Sequence, residues 1–321
     1  MVVREMSLCP HGETFQLAIL TSAAKSNCST RRTRRMRVTF DTNVWNRMVF
    51  PELHIDEPNY QALVELKNAV RDGRIRGFIS EAFATIEAIK RENRAKFHVQ
   101  NTPKVRVTDE SVGNGLIRLT IQIEANHDQH PGIGEEFEGE LKEALAIGIK
   151  LLSSPYIAVT VPNELRKRPE IYAEGVFETQ DYNDRFGEAI TTIVGRGVGN
   201  GVLVDMVKEF TERLDGPRPK TLHDRALIYG VYELARQDGD KKQMRRIEDS
   251  YGESADGDVV AAHIAYGNEY LCTDDRAKSA SSPSIFNVDN RAWLRSKYGV
   301  KIVTSQELAE LVTTASRSDP A

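Results

Sequence analysis

The sequence predicts an α/β protein, a three-layer α/β/α sandwich with a central parallel sheet. Short apolar segments rich in β-branched residues alternate along the chain with segments whose apolar residues recur at helical spacing. Several of the short segments are apolar throughout, which is typical of strands buried on both faces of a parallel sheet. An inserted α+β segment is expected between the two halves of this pattern.

The alternation begins after Met36. Residues 37–40 (RVTF) form the first predicted strand, and polar Asp41-Thr42-Asn43 follows it. Residues 58–71 have helical spacing, and residues 77–79 form a second short strand. Ser80 is expected to cap a helix whose apolar positions are Phe83, Ile86 and Ile89.

The C-terminal third repeats the alternation. Residues 222–236 predict a helix, and Val259–Tyr266 predicts a short, very apolar one. Residues 270–273 (YLCT) and 300–303 (VKIV) are predicted strands. Thr304-Ser305-Gln306-Glu307 has the capping-box pattern, which predicts a helix over 308–313.

Residues 97–216 fit the alternation poorly and are predicted to be an insertion into a domain of residues 37–321. Lys104–Asp109 and Leu116–Glu124 alternate around Gly113-Asn114-Gly115, which predicts an antiparallel hairpin. A helix over Glu136–Leu152 and an apolar run over 156–161 are expected to follow. The insertion could serve as a lid, as a homodimer contact or as a docking surface for a partner.

The composition excludes several classes of protein. Lys and Arg number 43 against 47 Asp and Glu, so the net charge of −4 excludes a dominant basic field. Three scattered cysteines fit neither a disulfide framework nor a four-cysteine zinc site, which indicates a reduced, cytoplasmic setting. No apolar run approaches the ~20 residues that span a bilayer, so no membrane association is expected.

Residues 1–36 are basic and rich in Ser and Thr, unlike the remainder. This extension could be a disordered tail that contacts nucleic acid, a targeting segment, or sequence upstream of a start at Met36. We favour the last interpretation and assign no function to the extension.

Acidic residues follow two predicted strands, where the active site of an open α/β sheet is expected. Asp41 follows RVTF, and Asp274-Asp275 follows YLCT. Glu87 shares the face of Phe83 and Ile86, whereas Glu81 is explained by the dipole of the helix that it opens. Either Asp256 or Asp258 would be a ligand and the other an N-cap. Carboxylates without Cys or His favour a hard cation, Mg²⁺ or Mn²⁺, and therefore phosphodiester hydrolysis.

These motifs resemble PIN-domain nucleases. The resemblance rests on RVTFDTNVW (37–45), Glu87, DGDVVAA (256–262), YLCTDD (270–275) and VKIVTSQELAEL (300–311). It implies a metal-dependent endoribonuclease that cuts RNA, and in bacteria often the toxin of a toxin–antitoxin pair, held inactive by an antitoxin protein. It also implies a set of catalytic and metal-binding residues: Asp41, Glu87, Asp256, Asp258 and Asp274, with Asp275 as a further ligand and Thr42, Asn43 and Thr273 as supporting polar groups.

Other functions remain open at this point. A PIN-like module without catalysis could bind RNA or protein through the insertion. A haloacid-dehalogenase-like phosphatase would also begin with a strand that ends in Asp, but it needs a second Asp where Asn43 stands. The glycine-rich run 195–201 suggests a phosphate loop, yet it matches no established nucleotide-binding pattern.

Overall fold

The computed structural model describes residues 35–100, 104–113, 116–124, 135–154, 165, 167–176, 180–214, 217, 224–277 and 284–317. Residues 1–34 of the N-terminal extension, the Asn114-Gly115 turn and the run 156–161 lie outside these ranges. None of the described helices has the apolar length that crossing a bilayer requires.

A parallel sheet forms the centre of the fold and confirms the predicted class. Its strands are β1 (Met36–Phe40), β2 (Ile75–Ser80), β5 (Lys150–Leu152), β6 (Tyr270–Cys272) and β7 (Lys301–Val303). The order across the described sheet is β5-β2-β1-β6-β7, and every neighbouring pair is parallel. All the C-terminal ends of the strands therefore meet at one edge.

Helices cover the sheet. In chain order they are α1 (Thr42–Val49), α2 (Tyr60–Arg71), α3 (Arg91–Gln100), α4 (Glu135–Ala146), α5 (Gln180–Gly195), α6 (Asn200–Glu212), α7 (Asp224–Asp238), α8 (Lys241–Tyr266), α9 (Val288–Tyr298) and α10 (Ser305–Arg317). Helices α1, α2, α4 and α10 pack together, and α8 packs on β2, β5 and the helices α3, α5, α6 and α7. The predicted capping box is present, because Thr304 and Glu307 exchange hydrogen bonds of 2.8 and 3.2 Å at the start of α10.

The central segment contains both a confirmed and a wrong prediction. Strands β3 (Lys104–Gly113) and β4 (Leu116–Glu124) pair antiparallel as the predicted hairpin. The helix predicted through Leu152 instead ends at Ala146, and Lys150–Leu152 joins the main sheet beside β2. A strand of the main sheet thus comes from the segment that we predicted to be inserted. Its sequence did not predict a strand, because three residues are too few to show a period of two.

Helix α8 is far longer than predicted. It has 26 residues, begins at Lys241 with Asp240 as its N-cap, and contains the predicted helix Val259–Tyr266 as its last turns. Asp256 and Asp258 therefore lie inside a helix, so the expectation that one of them is an N-cap is wrong. Glycine, serine and aspartate between residues 249 and 258 have low helix propensity and concealed this part of the helix in the sequence.

One of these glycines has a packing role. A Cβ atom on Gly257 would lie 2.9 Å from the Cα of Gly199 and 2.7 Å from Oδ1 of Asn200, so the turn between α5 and α6 contacts α8 directly. A Cβ atom on Gly201 would lie 2.7 Å from the carbonyl oxygen of Val194. Close packing thus explains Gly199 and Gly201 in the glycine-rich run 195–201, which had suggested a phosphate loop.

The change Gly257→Ala is expected to destabilise the protein by about 2 kcal/mol, because the overpacking exceeds the gain in helix propensity. The matched control is Gly230→Ala in α7, where a Cβ atom meets nothing within 4 Å and a gain of up to about 1 kcal/mol is expected. Urea unfolding of both variants measures the difference. Equal effects at the two positions would contradict this account of the contact.

Candidate metal centre

Three carboxylates from three separate elements meet at the C-terminal edge of the sheet. Asp41 follows β1, Glu87 follows β2, and Asp256 lies in α8. One carboxylate oxygen of each lies within 4.8 Å of the other two. Asp41 is buried, whereas Glu87 and Asp256 are half-buried, so the cluster lies at the base of a partly open site. The structure thus brings together three of the predicted ligands.

Polar neighbours fix the orientation of Asp41. Its Oδ1 accepts a hydrogen bond from the backbone N–H of Thr42 at 2.8 Å, because Asp41 is also the N-cap of α1. Its Oδ2 accepts hydrogen bonds from Asn43 Nδ2 at 2.7 Å and Thr273 Oγ1 at 2.6 Å. The hydroxyl of Thr42 donates to Glu87 Oε2. The three residues predicted as supporting groups therefore contact the acidic cluster.

A single π-helical turn, Phe83–Glu87, presents Glu87. The backbone N–H of Ala88 donates to the carbonyl of Phe83 at 2.8 Å, which closes this wide turn. Phe83 and Ile86 are buried, and Glu87 stands beside them at the edge of the site. The helix expected to run from Ser80 to Ile89 is thus reduced to this turn, a form found often at functional sites.

The electrostatics of the cluster favour a bound cation. Burial raises the pKa of Asp41 to about 6 and that of Glu87 to about 7, and the charge of Asp41 adds to the rise at Glu87. The pKa of Asp256 is raised well above its usual range by burial and then by the charges of Asp41, Glu253, Glu87 and Asp275. A divalent cation would remove this repulsion, and oxygen-only donors suit Mg²⁺ or Mn²⁺. The residues therefore fit such a metal.

Asp258 does not join this cluster. Two residues of an α-helix are separated by about 200° around its axis, so Asp258 faces away from Asp256. It is buried, and its Oδ1 accepts a hydrogen bond from Asn200 Nδ2 at 3.1 Å. Of the two candidate ligands in α8, the geometry selects Asp256.

Asp274 also points elsewhere. Its carboxylate accepts hydrogen bonds from Asn59 Nδ2 at 2.8 Å, Arg47 Nη2 at 3.1 Å and the backbone N–H of Ser305 at 2.8 Å. Asp275, by contrast, lies close enough to the cluster to act on it electrostatically. Its negative charge raises the pKa of both Asp41 and Asp256. Asp274 therefore links structural elements, while Asp275 belongs with the acidic site.

Two further acids lie at this edge: half-buried Glu253, which the sequence did not single out, and Glu81, which it assigned to a helix dipole. Glu253 lies one turn before Asp256 in α8, and its Oε1 accepts hydrogen bonds from the backbone N–H groups of Gly199 at 3.0 Å and Ile285 at 2.6 Å. Glu81 is fully buried and accepts from Ser154 N at 2.6 Å and Tyr172 Oη at 2.8 Å, so the helix dipole is not its main partner. The spacing of three residues between Glu253 and Asp256 could have revealed the first of them, had the helix been recognised.

Comparisons with known proteins identify no relative of this chain. No family model matches it, and neither a curated protein nor a solved structure shows a match.

Proposed function

We propose that the chain is a nuclease that hydrolyses phosphodiester bonds of RNA with a divalent cation, Mg²⁺ or Mn²⁺. The observation that carries the proposal is the triad of Asp41, Glu87 and Asp256, whose carboxylate oxygens lie within 4.8 Å of one another at the C-terminal edge of a parallel sheet. This edge is where open α/β sheets bind their ligands.

Each residue of the acidic site has a separate proposed role. Asp41, Glu87 and Asp256 would hold the cation, with Asp275 adding negative charge beside them. Thr42, Asn43 and Thr273 keep Asp41 and Glu87 oriented through the hydrogen bonds described above. When bound, such a cation neutralises phosphate oxygens and lowers the pKa of water. The metal-binding carboxylates would thus be preorganised before substrate arrives.

RNA is proposed as the substrate because the motifs resemble those of PIN-domain nucleases. The acids that carry this resemblance in the sequence include the three that converge in space, although they are far apart along the chain. The position of Asp41 after β1 and of Thr273 after β6 agrees with the resemblance as well, since β1 and β6 are neighbours in the sheet.

The proposal is tested by incubating the purified chain with a labelled, unstructured oligoribonucleotide. We expect shorter products with Mn²⁺ and none with excess EDTA, and re-addition of Mn²⁺ should restore cleavage. Cleavage that continues at the same rate in EDTA would contradict a metal-dependent reaction. Binding of the oligonucleotide without cleavage under either condition would instead favour the PIN-like binding module.

A further inference from the structure

We propose that the surface formed by Arg276, Arg291, Arg196 and Trp293 is a binding track for single-stranded nucleic acid that leads away from the acidic cluster. This inference rests on the proposed function for its place at the active site. It adds the path of the substrate strand and the residues that would hold it.

The track starts at the acidic cluster itself. Arg291 donates through Nη2 to the backbone carbonyl of Asp275 and through Nε to that of Phe286 at 2.6 Å. These two bonds fix the guanidinium beside Asp275, the acid whose charge acts on Asp41 and Asp256. Arg276 follows Asp275 directly in the chain, is exposed, and repels Arg291 electrostatically, so two cations lie at this border of the site. The phosphates on either side of the cleaved phosphodiester would contact these two positive charges.

The second part of the track lies at the first turns of α9, where Arg196 lies over the ring of Trp293. Asn290, next to Arg291, is buried and accepts a hydrogen bond from Arg196 Nε at 2.6 Å through Oδ1, while its Nδ2 donates to the carbonyl of Ser284 at 2.8 Å. The guanidinium carbon of Arg196 lies 4.9 Å from the ring centroid of Trp293. The guanidinium of Arg196 is thus held over an aromatic ring by Asn290, a side chain that is itself fixed.

This pair has the chemistry of a nucleotide-binding platform. Arg196 is exposed, and its Nη groups have no hydrogen-bond partner among the described residues. The outer face of a stacked guanidinium accepts a nucleobase, and its free N–H groups bind phosphate in a fork. Stacking on such a platform requires an unpaired base, so the geometry favours a single strand over a duplex.

Glu253 fixes the position of the platform that Arg196 and Trp293 form. Its Oε1 binds Gly199, three residues after Arg196, and Ile285, in the segment that leads into α9. One carboxylate, one turn before Asp256, therefore joins the two segments that carry the platform to the helix that carries the metal ligand. The distance between platform and cluster is set by the fold and does not depend on a bound strand.

The test measures binding separately from cleavage. A fluorescent, single-stranded oligouridylate of about 12 nucleotides is titrated by anisotropy in EDTA, with Asp41→Asn as the common background so that no cleavage occurs. Arg196→Ala in this background is expected to weaken binding about tenfold, and Arg196→Lys, which keeps the charge but not the stacking plane, to give an intermediate loss. Arg276→Ala should make the slope of log affinity against log salt less steep by about 0.7.

Arg71→Ala is the matched control, because Arg71 is an exposed arginine on α2, a helix that carries no residue of the proposed track. It should change binding little. Equal losses for Arg196→Ala and Arg71→Ala would overturn the track, and so would a duplex RNA that binds as tightly as the single strand. Binding that depends on Arg196 in a chain that never cleaves RNA would disprove the proposed function and retain the track. Cleavage with the same KM in the Arg196→Ala variant would retain the proposed function and disprove the track.

Discussion

Replacing Asp41 by Asn is expected to reduce metal-dependent RNA cleavage by about 10³-fold or more, since several kcal/mol of charge stabilisation depend on the cation that it holds. The side chain keeps its size, so its acceptor oxygen can still bind the N–H of Thr42. The new amide, however, would face the donors Asn43 and Thr273 and carries no charge for a metal. Cleavage rates with Mn²⁺ measure the loss.

Thermal unfolding provides the second measurement for this variant. Mn²⁺ at about 100 times its Kd should stabilise the unchanged protein by about 2.7 kcal/mol, and the variant much less. Asp238→Asn, the same change at an exposed position, is the control and should respond to Mn²⁺ like the unchanged protein. Full activity of the Asp41→Asn variant, with the fold intact, would refute the assignment of this residue.

Replacing Asp274 by Ala is expected to have the opposite profile: a loss of about 3 kcal/mol in stability with metal affinity retained. Its carboxylate receives hydrogen bonds from Arg47, Asn59 and Ser305, which belong to α1, to the segment before α2 and to the start of α10. Removing it breaks these hydrogen bonds at the junction of three elements and leaves the backbone N–H of Ser305 without this acceptor. Urea unfolding and Mn²⁺ titration together measure the two effects.

The neighbouring acid supplies the control for this prediction. Asp275→Ala removes a carboxylate whose Oδ1 accepts one local hydrogen bond, from Ala277 N at 2.7 Å, so stability should change little. Mn²⁺ affinity should fall, because the charge that acts on Asp41 and Asp256 is lost. An Asp274→Ala variant with unchanged stability and no Mn²⁺ binding would show that the roles of the two acids are reversed.

The strands and their polar ends could be predicted from the sequence because their signals are local. Residues 37–40 alternate over one short segment, and Asp41 follows at once, so both β1 and the acid at its end were recognisable. The capping box at Thr304 is likewise contained within four residues. Each of these features depends on neighbours in sequence, which is what periodicity and capping patterns report.

The elements that were missed depend on distant contacts. Strand β5 has three residues and exists because β2 pairs with it. Helix α8 runs through Gly257, whose low helix propensity is offset by close packing against Gly199 in another part of the chain. The role of Asp274 was equally hidden, since it is set by hydrogen bonds from Arg47, Asn59 and Ser305 in three other segments. Tertiary contacts decided each of these cases.

The strand order has a consequence for biosynthesis. Strand β1 lies between β2 and β6, and Thr273, which binds Asp41, is 232 residues further along the chain. A growing polypeptide that has emerged only through its first half cannot form the acidic cluster, because α8 and β6 do not yet exist. The complete acidic cluster can therefore form only near the end of translation, after Asp256 has left the ribosome.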